Sequence, residues 1–241
     1  MVIANLIKDK LASVQCGVVL SIADFCVEPQ YQQALVMSLC RLVKQGELRK
    51  ISKGKYYKPK KSIFGTLTPN AEETVKDFLQ KDNQTIGYIT GTAAFAQMGL
   101  TTQISSAILI GTNKYRGKLS RGENTISFLL QPNPIRDEDI SLLRILDAIR
   151  LFKEIPASSP DEVIRQIMVL VSKLSKLEQE RLVELAIKYP PFVKAIMGAI
   201  MEQVGVVTLS YRLRYSLNGV TYYKLPISDN VLPNKKNWRI L

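Results

Sequence analysis

Five cationic side chains surround one glycine in GELRKISKGKYYKP, which runs from Gly46 to Pro59, and two tyrosines precede the last of them. Lys and Arg at this density bind anionic groups, and an extended polyphosphate backbone is the partner that such a cluster fits best. The alternative is a polar hairpin that is only solvated. The five cations are Arg49, Lys50, Lys53, Lys55 and Lys58.

Two short extended segments flank the turn at 52–54, and this pattern predicts a β-hairpin. A glycine allows the tight turn, and Lys53 and Lys55 at the tip can reach phosphate groups. Successive strand residues face opposite sides, so either Tyr56 or Tyr57 is expected to pack the hairpin on the rest of the domain.

Three helices are predicted before the hairpin. Apolar residues at helical spacing place the first at about 2–13. Ser21 and Asp24 form a capping pattern for a short second helix. Pro29 can begin a third helix that runs to about residue 45 and ends at Gly46. The residues expected on its buried side are Ala34, Leu35, Leu39, Leu42 and Val43.

This order of elements is that of a winged helix-turn-helix, in which the third helix enters the major groove of DNA and the hairpin lies along the backbone. Gln can pair with adenine and Arg with guanine. A helical pair used for protein contacts remains the alternative. The DNA-binding candidates are Gln30, Tyr31, Gln32, Gln33, Met37 and Arg41 on the helix, with Lys50, Lys53 and Lys55 on the hairpin.

Charge and composition limit the function classes. The net charge is +12, and residues 1–70 carry eleven Lys and Arg against four Asp and Glu, which favours a nucleic-acid partner for this part. The chain has no histidine, so histidine-dependent catalysis is excluded, and no P-loop pattern is present. We therefore expect no enzyme activity, no metal and no cofactor. We also expect a cytoplasmic protein without a membrane span, with its three cysteines buried and reduced.

The rest of the chain is predicted to be a second domain over 63–241, after a winged helix-turn-helix over 1–62. Its first part mixes strands and helices and its last part is mainly helical, so the fold class is α+β. The stretch 209–217 fits either a helix, which we favour, or a strand. The acidic run 137–139 suits a helix start better than a metal site. The basic residues Lys114, Arg116, Lys118 and Arg121 form either a ligand or RNA contact or a plain surface loop, and Arg212 and Arg214 allow similar alternatives.

Three segments together resemble the AbiEi-like antitoxin family of type IV toxin–antitoxin systems, and more closely its branch of viral-defence transcriptional regulators. They are RLVKQGELRKISKGKYYKP, GYITGTAAFAQMGLTTQ and SLNGVTYYKLPISDNVLPNKKNW. The resemblance spans nearly the whole chain, and the middle segment, followed by ILIGTNKYRGK, is the more specific part.

The resemblance implies a repressor that binds inverted repeats upstream of its own operon through Gln32, Gln33, Arg41, Lys53 and Lys55. It also implies that the C-terminal domain counters a neighbouring nucleotidyltransferase toxin in phage defence by abortive infection, without a tight complex. A plain regulator whose C-terminal domain senses a ligand or dimerises is the alternative, and the oligomeric state stays open. The antitoxicity candidates that the resemblance implies are Tyr88, Thr90, Gly91, Lys114 and Arg116.

Overall fold

A computed structural model describes residues 3–63 and 65–241, and the fold is α+β. The chain divides into two compact units. The first comprises 1–77 together with 119–124, and the second comprises 78–118 together with 125–241. The first unit therefore extends beyond the predicted boundary at residue 62 and includes a segment from the middle of the chain.

The first unit begins with helix α1 (Ile3–Ser13) and strand β1 (Val19–Ser21), followed by 3-10 turns at Ile22–Phe25 and Pro29–Tyr31. Helix α2 (Gln32–Gln45) leads into the antiparallel hairpin β2 (Arg49–Ser52) and β3 (Lys55–Tyr57). A second hairpin, β4 (Lys60–Ser62) and β5 (Gly65–Leu67), precedes helix α3 (Ala71–Leu79). Strand β1 also pairs with β3, so the sheet order is β1-β3-β2. This order of helices and topology of strands are those of a winged helix.

Local sequence explains these elements. The Asp24 carboxylate accepts hydrogen bonds from the backbone N–H and the hydroxyl of Ser21 at the start of the first 3-10 turn. Gly46 ends α2 in the left-handed region at φ 79°, and Gly54 allows the wing turn at φ 72°. The core of this unit consists of Ile7, Leu20, Phe25, Leu35, Leu39, Leu48 and Tyr56.

Three expectations for the first unit are corrected by the structure. Strand β1 was not predicted, because three residues carry too short a pattern to read. Ala34 is exposed and does not lie on the buried side of α2. The cysteines are free but exposed, because each lies on a surface turn or on the outer face of α2; they are Cys16, Cys26 and Cys40.

The second unit opens with short paired strands β6 (Gln80–Lys81) and β7 (Gln84–Thr85), then β8 (Gly87–Thr90) and helix α4 (Thr92–Gln97). Strand β9 (Ala107–Thr112) follows; β10 (Leu119–Arg121) belongs to the first unit, and β11 begins at the boundary and spans Asn124–Leu130. Strand β9 pairs antiparallel with β8 and parallel with β11. Five helices follow: α5 (Ile140–Arg150), α6 (Pro160–Ser172), α7 (Lys176–Ala186), α8 (Pro191–Gln203) and α9 (Val207–Tyr215). The favoured helix near 209–217 is thus confirmed.

Helix α8 is the centre of this unit, and every residue from Val193 to Met201 is buried. A helix that is apolar on all sides must be surrounded by other elements. Trp238 packs on it so closely that a Cβ at Gly198 would lie 2.0 Å from the indole ring. The indole Nε1–H also donates to the Glu202 carboxylate at 2.7 Å. The C-terminal segment is therefore fixed on α8.

Salt bridges and helix caps secure the outer helices. Asp139 is buried and accepts two hydrogen bonds from the Arg181 guanidinium, so the acidic run 137–139 joins α5 to α7. Ser159 and Ser175 each form a capping box with the Glu three residues later. Over 3–63 and 65–241, the helices are all too short or too polar to cross a lipid bilayer.

We predict that Gly198→Ala destabilises the second unit by about 1–3 kcal/mol, because the added methyl group must displace the indole of Trp238. Gly117→Ala is the matched control, since no atom lies within 4 Å of a Cβ at that position. Denaturant unfolding followed by the fluorescence of Trp238, the sole tryptophan of the chain, measures both changes. Equal stability of the two variants would contradict the packing described for α8.

Candidate nucleic-acid interface and a buried polar network

Helix α2 presents one face to the core and another to solvent. Leu35 and Leu39 are fully buried at 0% exposure. Gln33, Met37 and Arg41 recur every four residues and form an exposed stripe along the helix, with Met37 54% exposed. This stripe, which we call the α2 face, offers amide, apolar and guanidinium groups on a rigid element.

The predicted residues before this stripe are also exposed. Tyr31 is 41% exposed, and Gln32 starts the helix. Gln30 lies in the preceding 3-10 turn, where its side-chain amide donates to the Glu28 carboxylate at 2.8 Å. All six helix candidates are therefore exposed, three of them on the α2 face and three at or just before the start of the helix.

The wing carries its cations outside and its aromatic residues inside. Tyr56 and Tyr57 are 2% and 4% exposed, so both are buried where only one was expected to be. Lys50 and Lys53 are exposed, and within the described residues neither forms an ion pair. These two lysines are free to meet an anionic partner.

Lys55 differs from this expectation. Its Nζ lies 3.0 Å from the Asp77 carboxylate, and its side chain is only 18% exposed. The guanidinium of Arg121 binds the same carboxylate with both nitrogens and is itself buried. Lys55 thus anchors the wing next to its turn and is not an available phosphate-binding group, and Arg121 is not part of an exposed basic loop.

The Asp77 carboxylate is held ionised by this arrangement. Burial alone would raise its pKa, but the hydrogen bonds from Arg121 and Lys55 outweigh burial and hold the pKa below its usual range. Arg121 also donates to the backbone carbonyl of Thr74 at 2.9 Å. Asp77 therefore connects the wing, helix α3 and the 119–124 segment of the first unit.

The resemblance-derived candidates in β8 are buried, which excludes direct contact with a partner in this conformation. Tyr88 and Thr90 are 2% and 1% exposed. Gly91 has φ 72°, and a Cβ there would lie 2.8 Å from the Cβ of Leu109. Glycine is therefore required for the turn from β8 into α4.

Tyr88 belongs to a polar network inside the second unit that the sequence did not predict. Its hydroxyl donates to Asp147 at 2.7 Å, and the Tyr189 hydroxyl donates to the other carboxylate oxygen at 2.9 Å. The Gln131 side-chain amide donates to both tyrosine hydroxyls at 2.7 Å. The side-chain carbonyl of Gln131 accepts a hydrogen bond from the side-chain amide of Asn133. The same amide donates to the backbone carbonyl of Leu185 in α7.

Asp147 is fully buried, and its carboxylate contacts the hydroxyl groups of two tyrosines rather than a basic side chain. Burial raises its pKa to about 6, while the hydrogen bonds from Tyr88 and Tyr189 and the charge of Arg150 oppose the rise. Burial and the adjacent carboxylate raise the pKa of both tyrosines. A signal was present in the sequence, since Asp147 is the one acid in the mainly apolar stretch LLRILDAI of α5.

The remaining candidates lie on an exposed loop of the second unit. Lys114 and Arg116 are both exposed. The guanidinium of Arg116 lies 5.1 Å from the ring centre of Phe78 and 6.0 Å from that of Phe128. Arg116 is thus held above an aromatic pair, whereas Lys114 projects freely.

The fold and the α2 face together define a winged-helix protein joined to a larger α/β unit with a helical C-terminal part. Residues 6–182 match a family described as a family of unknown function, DUF6088, and the chain belongs to that family. No protein with a curated description matches it.

A solved structure, described as the crystal structure of RV2827C protein from Mycobacterium tuberculosis, is similar to the chain at 15% identity and a TM-score of 0.46. The similarity covers 92% of this chain and 82% of that chain.

We predict that rising pH destabilises the second unit through Asp147. The folded protein keeps a proton up to about pH 6 that the unfolded chain releases near pH 4, so the free energy of unfolding falls between these values. At about 1.4 kcal/mol per pKa unit, the loss is about 3 kcal/mol. Asp147→Asn removes this titration.

Denaturant unfolding of the wild type and of Asp147→Asn from pH 4 to pH 7, followed by Trp238 fluorescence, measures the difference. The variant should gain stability relative to the wild type as the pH rises. Parallel pH profiles of the two proteins would contradict the raised pKa.

Proposed function

We propose that the chain is a cytoplasmic DNA-binding regulator. It recognises the base sequence of duplex DNA through α2 and binds the phosphate backbone of the DNA through the wing. The exposed stripe of Gln33, Met37 and Arg41 beside unpaired wing lysines is the observation that carries this proposal. Gln and Arg suit base edges, and an apolar side chain suits the thymine methyl group. Lys50 and Lys53 supply phosphate contacts, which add affinity without sequence preference.

The distribution of charge supports DNA over a protein partner for this unit. The wing exposes lysines and buries both tyrosines, so little apolar surface is available there for a protein interface. The stripe on α2 is also mainly polar, and Met37 is its apolar member. A polar helix face beside a cationic hairpin matches the grooves and phosphates of duplex DNA.

The resemblance to AbiEi-like antitoxins extends the proposal to the second unit. In this account the winged helix represses the chain's own operon at inverted repeats, and the second unit counters a nucleotidyltransferase toxin encoded next to it. The exposed loop with Lys114 and Arg116 is then the surface of the second unit that counters the toxin. The buried Tyr88, Thr90 and Gly91 act only by supporting the fold beneath it.

The DNA half is tested with substitutions on the two surfaces. Lys50→Ala with Lys53→Ala should weaken binding to all duplexes by the same factor. It should also make the log–log salt slope less steep by about 0.9 for each phosphate group that the variant no longer binds. Arg41→Ala should reduce the preference for one base at one position by about 1–3 kcal/mol of binding free energy. Duplexes that carry a different base at that position should bind the variant and the wild type equally.

Fluorescence anisotropy with duplexes from upstream of the gene, and with single-base variants of them, provides the measurement. Lys188→Ala is the control, because that lysine is exposed on the second unit. Wild-type affinity in the wing variant, or a uniform loss in Arg41→Ala, would contradict the assigned roles.

The antitoxin half is tested by growth rescue with the full chain. When the neighbouring gene is expressed, the variant that lacks Lys50, Lys53 and Arg41 should still restore growth, because neutralisation is assigned to the second unit. Lys114→Ala with Arg116→Ala should fail to restore growth while keeping the thermal stability of the wild type. If the product of the neighbouring gene is not toxic, or if the Lys114→Ala, Arg116→Ala variant restores growth fully, the proposed antitoxin role is wrong. The proposed DNA binding would be unaffected by either result.

A further inference from the structure

A cleft of about 460 Å³ lies in the second unit between the end of α9 and the C-terminal segment. This volume falls in the range of small-molecule sites. Arg214, Lys236 and Arg239 line it together with the rings of Tyr222 and Trp238. The lining includes three cations, and neither Asp nor Glu is among its residues.

In the part of the chain that the structure describes, no ion pair involves any of these three cations. Like charges gathered in one concave surface raise the local positive potential, and a bound anion relieves their repulsion. Lys235, the neighbour of Lys236, differs because it is paired with Asp229 at 3.4 Å.

One of the three cations, Arg214, is held in place before any ligand arrives. The Arg214 guanidinium donates to the Asn237 carbonyl at 2.9 Å and lies 5.6 Å from the ring centre of Trp238. Trp238 is itself fixed on α8 through Gly198 and Glu202. A guanidinium has five N–H donors, so Arg214 keeps further donors for an anion after this contact.

Arg239 adds a backbone feature of its own. Its φ of 58° lies in the left-handed region, which is uncommon for residues other than glycine, asparagine and aspartate. The conformation is held because its N–H donates to the Lys236 carbonyl and its carbonyl accepts from Tyr223 at 2.8 Å. Strained residues of this kind concentrate at functional sites. Its guanidinium lies 5.4 Å from the ring centre of Tyr222.

We propose that this cleft binds a phosphorylated nucleotide, either free or at the end of a nucleic-acid strand. Its phosphate oxygens meet Arg214, Lys236 and Arg239, because guanidinium and ammonium groups are the usual protein donors to phosphate. The base meets Tyr222, whose ring is 59% exposed. The site is separate from the α2 face and does not depend on DNA binding by the first unit.

The test uses the full chain and the fluorescence of Trp238, excited at 295 nm where adenine does not absorb. Pyrophosphate, ADP and a 5′-phosphorylated oligoadenylate are titrated in turn. ADP or the oligonucleotide should give a saturable change and bind more tightly than pyrophosphate, because only they place a base on Tyr222. The tighter of the two identifies the source of the nucleotide.

Lys236→Gln should weaken binding about tenfold or more, as expected for the loss of a charged hydrogen-bond donor. The side chain of this lysine is exposed, so the fold should be retained. Lys188→Gln, which changes an exposed lysine outside the cleft, should bind like the wild type. The double variant Lys50→Ala, Lys53→Ala should also bind like the wild type, which separates this site from the wing.

Two results would overturn the proposal. If none of the three probes changes the fluorescence or gives heat in a calorimetric titration, the cleft is not a phosphate site. If pyrophosphate binds as tightly as ADP and the oligonucleotide, or if Lys236→Gln binds all probes like the wild type, the nucleotide assignment fails.

Discussion

The Asp77 carboxylate is the constraint on which the geometry of the first unit depends. It binds Lys55, next to the turn of the wing, and the buried Arg121, which lies 44 residues further along the chain. An ion pair at a protein surface contributes little to stability, but removing one partner of a buried guanidinium is costly. Because Lys55 lies two residues after Lys53, this contact also fixes the turn that carries Lys53.

The division of the wing lysines follows from this contact. Successive side chains of a strand point to opposite faces. In β3, the buried Tyr56 and the half-buried Lys55 both attach the hairpin to the rest of the first unit. Lys50 and Lys53 remain in solvent. The basic run thus contains lysines that stabilise the fold and lysines that remain in solvent. Only the lysines in solvent can bind an external phosphate.

The sequence predicted the elements of the first unit well because strong local signals mark them. Gly46 and Gly54 require positive φ, and Ser21 and Asp24 form a local hydrogen-bonded turn. The boundary of the unit was not predictable, because the return of residues 119–124 depends on a contact between distant residues. Arg121 was therefore expected in an exposed loop.

The second unit shows the same limit. Capping boxes at Ser159 and Ser175 mark the starts of α6 and α7, and such signals can be found in a sequence because each uses residues three positions apart. The network of Asp147, Tyr88 and Gln131 joins residues that lie 43 and 59 positions apart. No periodic pattern links such residues, so burial of the tyrosine could only be learned from the structure.

We propose that α2 and the wing together form the DNA-binding surface. The first measurement to make is hydrogen–deuterium exchange of the full chain, with and without an upstream duplex. We expect slower exchange of backbone amides confined to residues 30–41 and 49–55, with little change in the second unit. Tight binding that leaves both segments unprotected, or that protects only the second unit, would contradict it.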